Sequence, residues 1–337
     1  MARLEPVRGV GGSWTRRLVL ACAVGLATVG AAGCGADGLQ SPSDNLEDIA
    51  PEDVDPAITP LLAEQAVDRY ERISNDAHRA GDAERLAEAE AGSQLQRDTA
   101  RLTKREALEP DAAHTDVFFE EREYFIPAGG EPWFLVSAVS SADPDRHQRL
   151  LTFAERGEDW KLVSALEVLE DDEVPEIELD GGDLAEAVPA EDDGLLITPA
   201  AVTEHVEETW EHRGELQGDV WGDTPALDDL CQEAAREPED PLIAREYERA
   251  TPEHPEVYAL RTAGGGVLAI VPLGHTMTET VQGSNANLVP SEEAAVLGVS
   301  PQPSIASTFR GEAAAYLPPG DHRAQLVTYE YELTAAD

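Results

Sequence analysis

The sequence predicts an α+β protein in which one plan is used twice, each copy a helical stretch followed by an antiparallel sheet. Three observations carry this. Helical periodicity precedes runs of strand-like alternation in both halves of the 337-residue chain. Ile58-Thr59-Pro60 recurs as Ile197-Thr198-Pro199, and Val67-Asp68 as Val206-Glu207 in the same register. Between the copies, Glu170 to Asp193 holds 12 acids and no base.

The first 33 residues read as an address. Arg3, Arg8, Arg16 and Arg17 face one acid, Glu5, and Leu18 to Ala32 then runs 15 residues without a charge. A basic region, a short apolar run and small residues make a secretory signal peptide over 1–33. As a helix the apolar run rises roughly 22 Å, short of the ~30 Å hydrocarbon core, so a permanent span is the weaker reading. Ala31-Ala32-Gly33-Cys34 resembles a bacterial lipobox, with Ala31 where Leu or Val is usual. That resemblance implies that the Cys34 thiol takes a diacylglyceryl group and becomes the new N-terminus, anchored in a membrane. Thr15-Arg16-Arg17-Leu18-Val19-Leu20 resembles a twin-arginine motif without its usual Phe and Lys, so Tat and Sec export both stay open. Cys22 leaves with the signal and Cys34 is lipidated, so Cys231 stands alone and no intramolecular disulfide is expected. Cys231 is expected as a buried small hydrophobe.

Residues 34–56 are polar, acidic and Pro-containing, a flexible tether. The first α+β unit is expected over 57–169. Thr59 is a candidate N-cap and Pro60 fits the first helical position. Leu62, Val67, Tyr70, Ile73 and Ala77 fall near one face, Gly81-Asp82 breaks the helix, and a second run extends from Ala83 to Ala91. Strands are expected at 116–126, 133–141, 149–156 and 160–169, separated by turn residues such as Pro127-Ala128-Gly129-Gly130 and Gly157-Glu158-Asp159. Short connections imply an antiparallel meander.

The acidic block, with flanks to 196, is expected as a self-repelling linker. The second unit spans 197–337. Val202, Val206 and Trp210 stripe a helix, and Asp229 to Ala234 looks helical. Strands are expected at 257–262 and 267–271, joined by Gly264-Gly265-Gly266, and at 308–316 and 325–333.

Tyr70 through Gly81-Asp82-Ala83-Glu84-Arg85-Leu86, with the closing Gly157-Glu158-Asp159-Trp160-Lys161-Leu162-Val163, resembles the nuclear transport factor two-like superfamily. The resemblance implies a cone-like fold, a sheet curved around a pocket, more clearly in the first copy than the second. The mature chain over about 56–333 also resembles a family of uncharacterised actinobacterial secreted lipoproteins. Asn75-Asp76-Ala77, Phe118 through Pro127, His254 through Arg261 and Gly265 through Ala269 with His275-Thr276 carry that resemblance.

Chemistry is sparse in the sequence. There is no phosphate loop, nucleophile elbow, His-Glu-x-x-His pair or cysteine pair, so no cofactor and no metal is expected. His205 and His212 flank Glu208 but stand about 10 Å apart along a helix, too far for one ion. Asp143, Asp145 and His147 form a turn whose spacing chelates weakly at best. His254 and His275 flank the glycine-linked hairpin and, with Asp116, are the residues an acid–base enzyme would use.

A net charge of −44, becoming −47 once the four Arg and one Glu of residues 1–33 are removed, repels nucleic acid. Lysine occurs only as Lys104 and Lys161, an Arg-over-Lys bias that fits a high-GC genome. The excess acid suits an exposed, salt-tolerant surface. The expected function is a non-enzymatic cell-envelope lipoprotein, a protein-interaction or scaffold module with an envelope protein as partner. The alternative is a pocket for a small apolar or cell-wall-derived ligand.

Overall fold

A computed structural model describes residues 56–169, 172–283 and 286–337. The signal segment, Cys34 and nearly all of the tether lie outside the described residues. Among the described residues no helix is long and apolar enough to cross a membrane.

Helix α1 (Pro60–Ala80) starts as its sequence requires, with Pro60 in the first turn and the Thr59 hydroxyl accepting the Leu62 N–H at 3.4 Å. It stops at Gly81, whose φ of 65° few other residues adopt. Val67, Tyr70, Ile73 and Ala77 are buried, whereas Leu62 is 50% exposed because Ala63 and Ala66 take the inner positions of the first turns. Helix α2 (Ala83–Leu86) is a single turn capped by Asp82. The run expected to continue to Ala91 ends there. Helix α3 (Gly92–Leu108) follows, in a stretch for which the periodicity predicted no element. Its buried face carries Gln94, Arg97, Asp98 and Lys104, polar positions that an apolar-periodicity reading passes over.

Strands β1 (Phe119–Phe125), β2 (Trp133–Ser140), β3 (Gln148–Arg156) and β4 (Asp159–Val168) form an antiparallel meander in that order. The second half opens with α4 (Ala201–Glu211), where the Thr198 hydroxyl accepts the Ala201 N–H at 3.2 Å. After α5 (Pro225–Ala234) come β5 (Ile243–Arg249), β6 (Tyr258–Arg261) and β7 (Val267–Val281). A short α6 (Glu292–Val296), β8 (Ser304–Leu317) and β9 (Gln325–Ala336) complete the chain. The second sheet runs β5-β7-β8-β9, with β6 also on β7. The molecule is thus mixed α and β with two antiparallel sheets.

The sheets share one apolar core. A single buried cluster joins Leu135, Leu150 and Leu166 of the first sheet to Leu260, Leu268 and Val327 of the second. The outer edge of β4 is covered rather than open. Backbone at Ala89 and Ala91 pairs with Leu162, the Ala165 N–H donates to Glu312 Oε2 at 3.2 Å, and the Glu167 N–H donates to Glu330 Oε1 at 2.9 Å. The same carboxylates hold α3. Arg97, 1% exposed, donates to Glu312 at 2.6 Å and also to Glu330. Burial works against the Arg97 cation, but Glu312 and Glu330 outweigh it and hold its pKa above the ordinary value. Lys104 is paired with Glu293 at 2.9 Å and with Glu332.

The acidic segment packs as well. Ile177, Ala185 and Val188 are buried, and backbone bridges link Ala185 to Pro127 beside β1, Ala187 to Leu260 and Ile177 to Thr262. Its acids dominate the composition and mask these apolar residues.

Candidate functional site

A cavity of about 430 Å³ lies between α1, α3 and the first sheet. Helix α1 supplies Tyr70, Glu71, Ser74, Asn75 and His78, the spacing of one helical face. Helix α3 supplies Gln94, Asp98 and Arg101, four and three residues apart. Phe119, Ser140, Asp143, Arg149 and Glu167 close the wall from the sheet and its turns. Glu71, Ser74, Asn75, Gln94, Asp98 and Ser140 are all buried, so the cavity wall is polar beside the apolar core of Val67, Ile73, Phe134 and Phe153.

Most of the wall is fixed by its own partners. Asn75 Oδ1 accepts the Val117 N–H and its amide donates to Val117 O, both at 2.8 Å, as a neighbouring strand would. Glu71 Oε1 accepts the Phe119 N–H and an Arg122 N–H, each at 2.6 Å. Asp98 accepts from Arg101 at 2.6 Å and faces His78 Nε2 at 4.0 Å. Glu167 is held by Arg149. Glu71, Asp98 and Glu167 thus each have a counter-charge within the protein.

Three groups break that pattern, one of them the wall's own Arg149, whose Nε is buried without a hydrogen-bond partner. Gln94 lines the cavity, and its Oε1 is buried without a hydrogen-bond partner. Behind it Glu90 is fully buried with both oxygens unpartnered. Burial first, then the nearby Asp98, pushes the Glu90 carboxyl well above the usual range, which favours its neutral form. Burial, with Glu90 and Asp98, likewise raises the Tyr70 phenol. His78 and His114 stack with centroids 5.6 Å apart, and burial lowers the pKa of both. Orphaned buried polar atoms are rare in folded proteins and mark places that take a ligand or ordered water.

The residues that the sequence offered for chemistry do not converge here. Asp116 is exposed and bound to Arg79 at 2.7 Å. His254 is exposed on the chain between β5 and β6, against Gly92. His275 is buried inside β7, with Nδ1 3.2 Å from Glu207 Oε2 and rings of Trp210, Tyr247, Phe309 and Tyr331 around it. Asp143, Asp145 and His147 have ligand-type atoms within 4.8 Å of one another. Asp143 nevertheless spends its oxygens on the Asp145 N–H at 3.0 Å and the His147 N–H at 2.7 Å. Despite partial desolvation, those backbone bonds lower its pKa. His205 Nδ1 meets Glu208 Oε2 at 3.0 Å while His212 meets the Glu208 carbonyl, so the two imidazoles are engaged separately. Gly264 to Gly266 is the tight β6–β7 turn, with the Gly265 N–H on Thr262 O at 2.8 Å. Cys231 is half-buried, and burial raises its thiol. Gln94, Asp98 and Arg101, by contrast, went unremarked in the sequence. Their polar ladder at i, i+4 and i+7 was the available signal.

A family model described as a domain of unknown function, DUF8094, matches residues 54–337. An uncharacterised lipoprotein of Streptomyces coelicolor is 29% identical over 300 residues, covering 83% of this chain and 82% of its own. An uncharacterised lipoprotein of Streptomyces avermitilis is 26% identical over 291 residues, covering 83% and 86%. A second from Streptomyces coelicolor is 26% identical over 255 residues, covering 72% and 74%. No solved structure matches the chain.

Proposed function

The chain belongs to the DUF8094 family, and from that premise we propose that it is a lipid-anchored, extracytoplasmic binding protein of the cell envelope. The first-half cavity would receive a small, neutral, hydroxyl-rich ligand of the cell-wall saccharide type. The observation that carries this is the unpartnered Gln94 in a polar-walled cavity whose Glu71, Asp98 and Glu167 carboxylates are already paired with arginines from within. Such a wall asks for no charge from its occupant. It offers donors and acceptors together, which hydroxyl groups answer, and the Tyr70 and Phe119 rings beside them suit a flat sugar face. A volume of about 430 Å³ falls within the ~300–1,000 Å³ of small-molecule sites.

The anchor in this reading is the lipid on Cys34, supported by the lipoprotein names of the relatives. Export removes 1–33, and 34–56 is the tether. The folded part divides into cone-like halves, 57–169 and 197–337, joined by 170–196. The cone-like reading draws support from helices α1 to α3 enclosing a cavity against one meander. No catalytic step is part of this reading.

Isothermal titration with N,N′-diacetylchitobiose tests the binding reading. Saturable binding that Gln94→Leu weakens tenfold or more is expected; absence of heat from the unaltered protein overturns it. A protein-interaction or scaffold role is the second reading, favoured by Leu61 and Leu62, side by side in the first turn of α1 at 63% and 50% exposure. Crosslinking in cells followed by capture tests it, and loss of one defined partner on Leu61→Glu is the expected result.

A further inference from the structure

Strand β7 is paired unevenly along one edge. β6 covers Val267 to Ile270 and β5 covers His275 to Val281. Between them Val271 to Gly274 have no strand neighbour on that side, and Pro272 has no N–H to offer one. The connecting chain at 250–257 bows away, and a cavity of about 340 Å³ opens under α4. Its walls are chiefly apolar: Ala250, Pro252, Pro255, Val257 and Pro272.

One charged group reaches the cavity from within. Glu207 of α4 is 1% exposed, yet it lines this space. Its Oε1 accepts the Gly274 N–H at 2.6 Å and the Tyr331 O–H at 2.8 Å, and its Oε2 meets His275 Nδ1 at 3.2 Å. Three groups therefore hold the carboxylate: the Gly274 N–H, the Tyr331 O–H and the His275 ring. A carboxylate has about four acceptor sites, so one remains, on Oε2. At the mouth Arg249 is paired with Glu204 at 3.1 Å and Glu211 at 3.2 Å, and Arg310 is held by the carbonyls of Ala250 at 2.9 Å and Thr251 at 3.3 Å.

We propose that this cavity binds a small primary ammonium ion carried on a short aliphatic body, the ammonium seated on Glu207 and the alkyl chain against the proline walls. Glu207 is the buried carboxylate of this lining, beside apolar walls and the more exposed Thr203, Glu204, Arg249 and Thr251, and it favours a ligand with one cationic donor group. A charge-assisted bond to a carboxylate is the strongest form of that contact. The strongly acidic surface adds a general attraction for cations. The site is separate from the polar cavity of the first half and does not rest on the saccharide reading.

The test is calorimetric titration of the whole exported chain with n-butylammonium chloride, with n-butanol and sodium butyrate as neutral and anionic counterparts at matched ionic strength. Saturable binding of butylammonium, at least tenfold tighter than butanol and with no signal for butyrate, is expected. Glu207→Gln keeps an acceptor for Gly274 and Tyr331 and should cost tenfold or more. Ala250→Phe leaves Glu207 and the Ala250 backbone bond to Gly274 untouched, fills the cavity, and should abolish binding without lowering the thermal midpoint. Equal binding of butanol and butylammonium, a non-saturable signal that sodium reproduces, or full binding by Ala250→Phe would each overturn the proposal. Titration with diacetylchitobiose on the same variants should be unchanged, which separates failure here from failure of the first site.

Discussion

Helices α1 and α4 begin alike and then diverge. Thr59 caps α1, Thr198 accepts the Ala201 N–H in the turn just ahead of α4, whose own N-cap is Ala200, and Val67 and Val206, at matching positions, are both fully buried. One residue later the likeness ends. Asp68 is exposed and held by Arg122 at 2.7 Å, whereas Glu207 is buried against β7. The cause lies outside both helices. In the first half α3 lies beside α1 and brings a second polar face, so the space between them is lined with amides and paired charges. In the second half α4 lies over the break in β7, and one carboxylate replaces the missing strand. A shared helical start thus sets where a cavity forms, while the neighbouring element sets its chemistry.

The largest expected effect tests whether the halves can be compared as separate bodies at all. Arg97→Met leaves Glu312 buried without its counter-charge and should cost about 3–5 kcal/mol. Urea unfolding followed by circular dichroism and by hydrogen exchange in each sheet should show one lowered transition; two separated transitions would mean the halves stand alone.

Glu90→Gln sharpens the account of the polar half. The folded-state pKa of Glu90 is raised above its unfolded value of about 4.3, so the folded chain keeps a proton that the unfolded chain releases. Its contribution is therefore full below about pH 4 and is lost as pH rises toward the folded pKa. The amide should stabilise the protein at pH 7 by about 1–2 kcal/mol and give no gain at pH 4. Urea melts at both pH values decide this, and an equal effect at each would show that Glu90 is not held neutral.

Thr59→Ala and Thr198→Ala probe the shared start directly. Each should cost ~1 kcal/mol, and a large inequality would break the parallel between the helices. The smallest effect concerns the surface common to both halves. The thermal midpoint should rise by a few degrees between low and molar NaCl as self-repulsion is screened, and a flat response would refute surface charge as a source of instability.

Much of the frame was legible. The strands of the first sheet fall within three residues of expectation at each end, because turn residues punctuate them. The Thr-Pro starts were visible because capping is local. Helix α3 was not, since its inward face is polar and its partners, Glu312 and Glu330, lie more than 200 residues away in sequence. β5 hid for a similar reason: its charged side chains are answered across the sheet, as Arg245 is by Glu279 at 2.7 Å. The cavity was implied only by resemblance, and its unpartnered Gln94 and Glu90 show only once the chain is folded. Composition misled over 172–196, where scattered apolar residues anchor a segment dominated by acid.

The bridges of that acidic segment also have a mechanical meaning. The Ala57 N–H is tied to Pro127 O at 3.1 Å, Ala128 and Ile126 are tied to Ala185, and the Val188 N–H is tied to Ala259 O at 2.9 Å. Tension arriving along the chain ahead of Ala57 is handed from clip to clip across both sheets. Each clip is only one or two hydrogen bonds. A pull on the chain ahead of Ala57 would therefore load the single Ala57–Pro127 bond before the two bonds at Ala185.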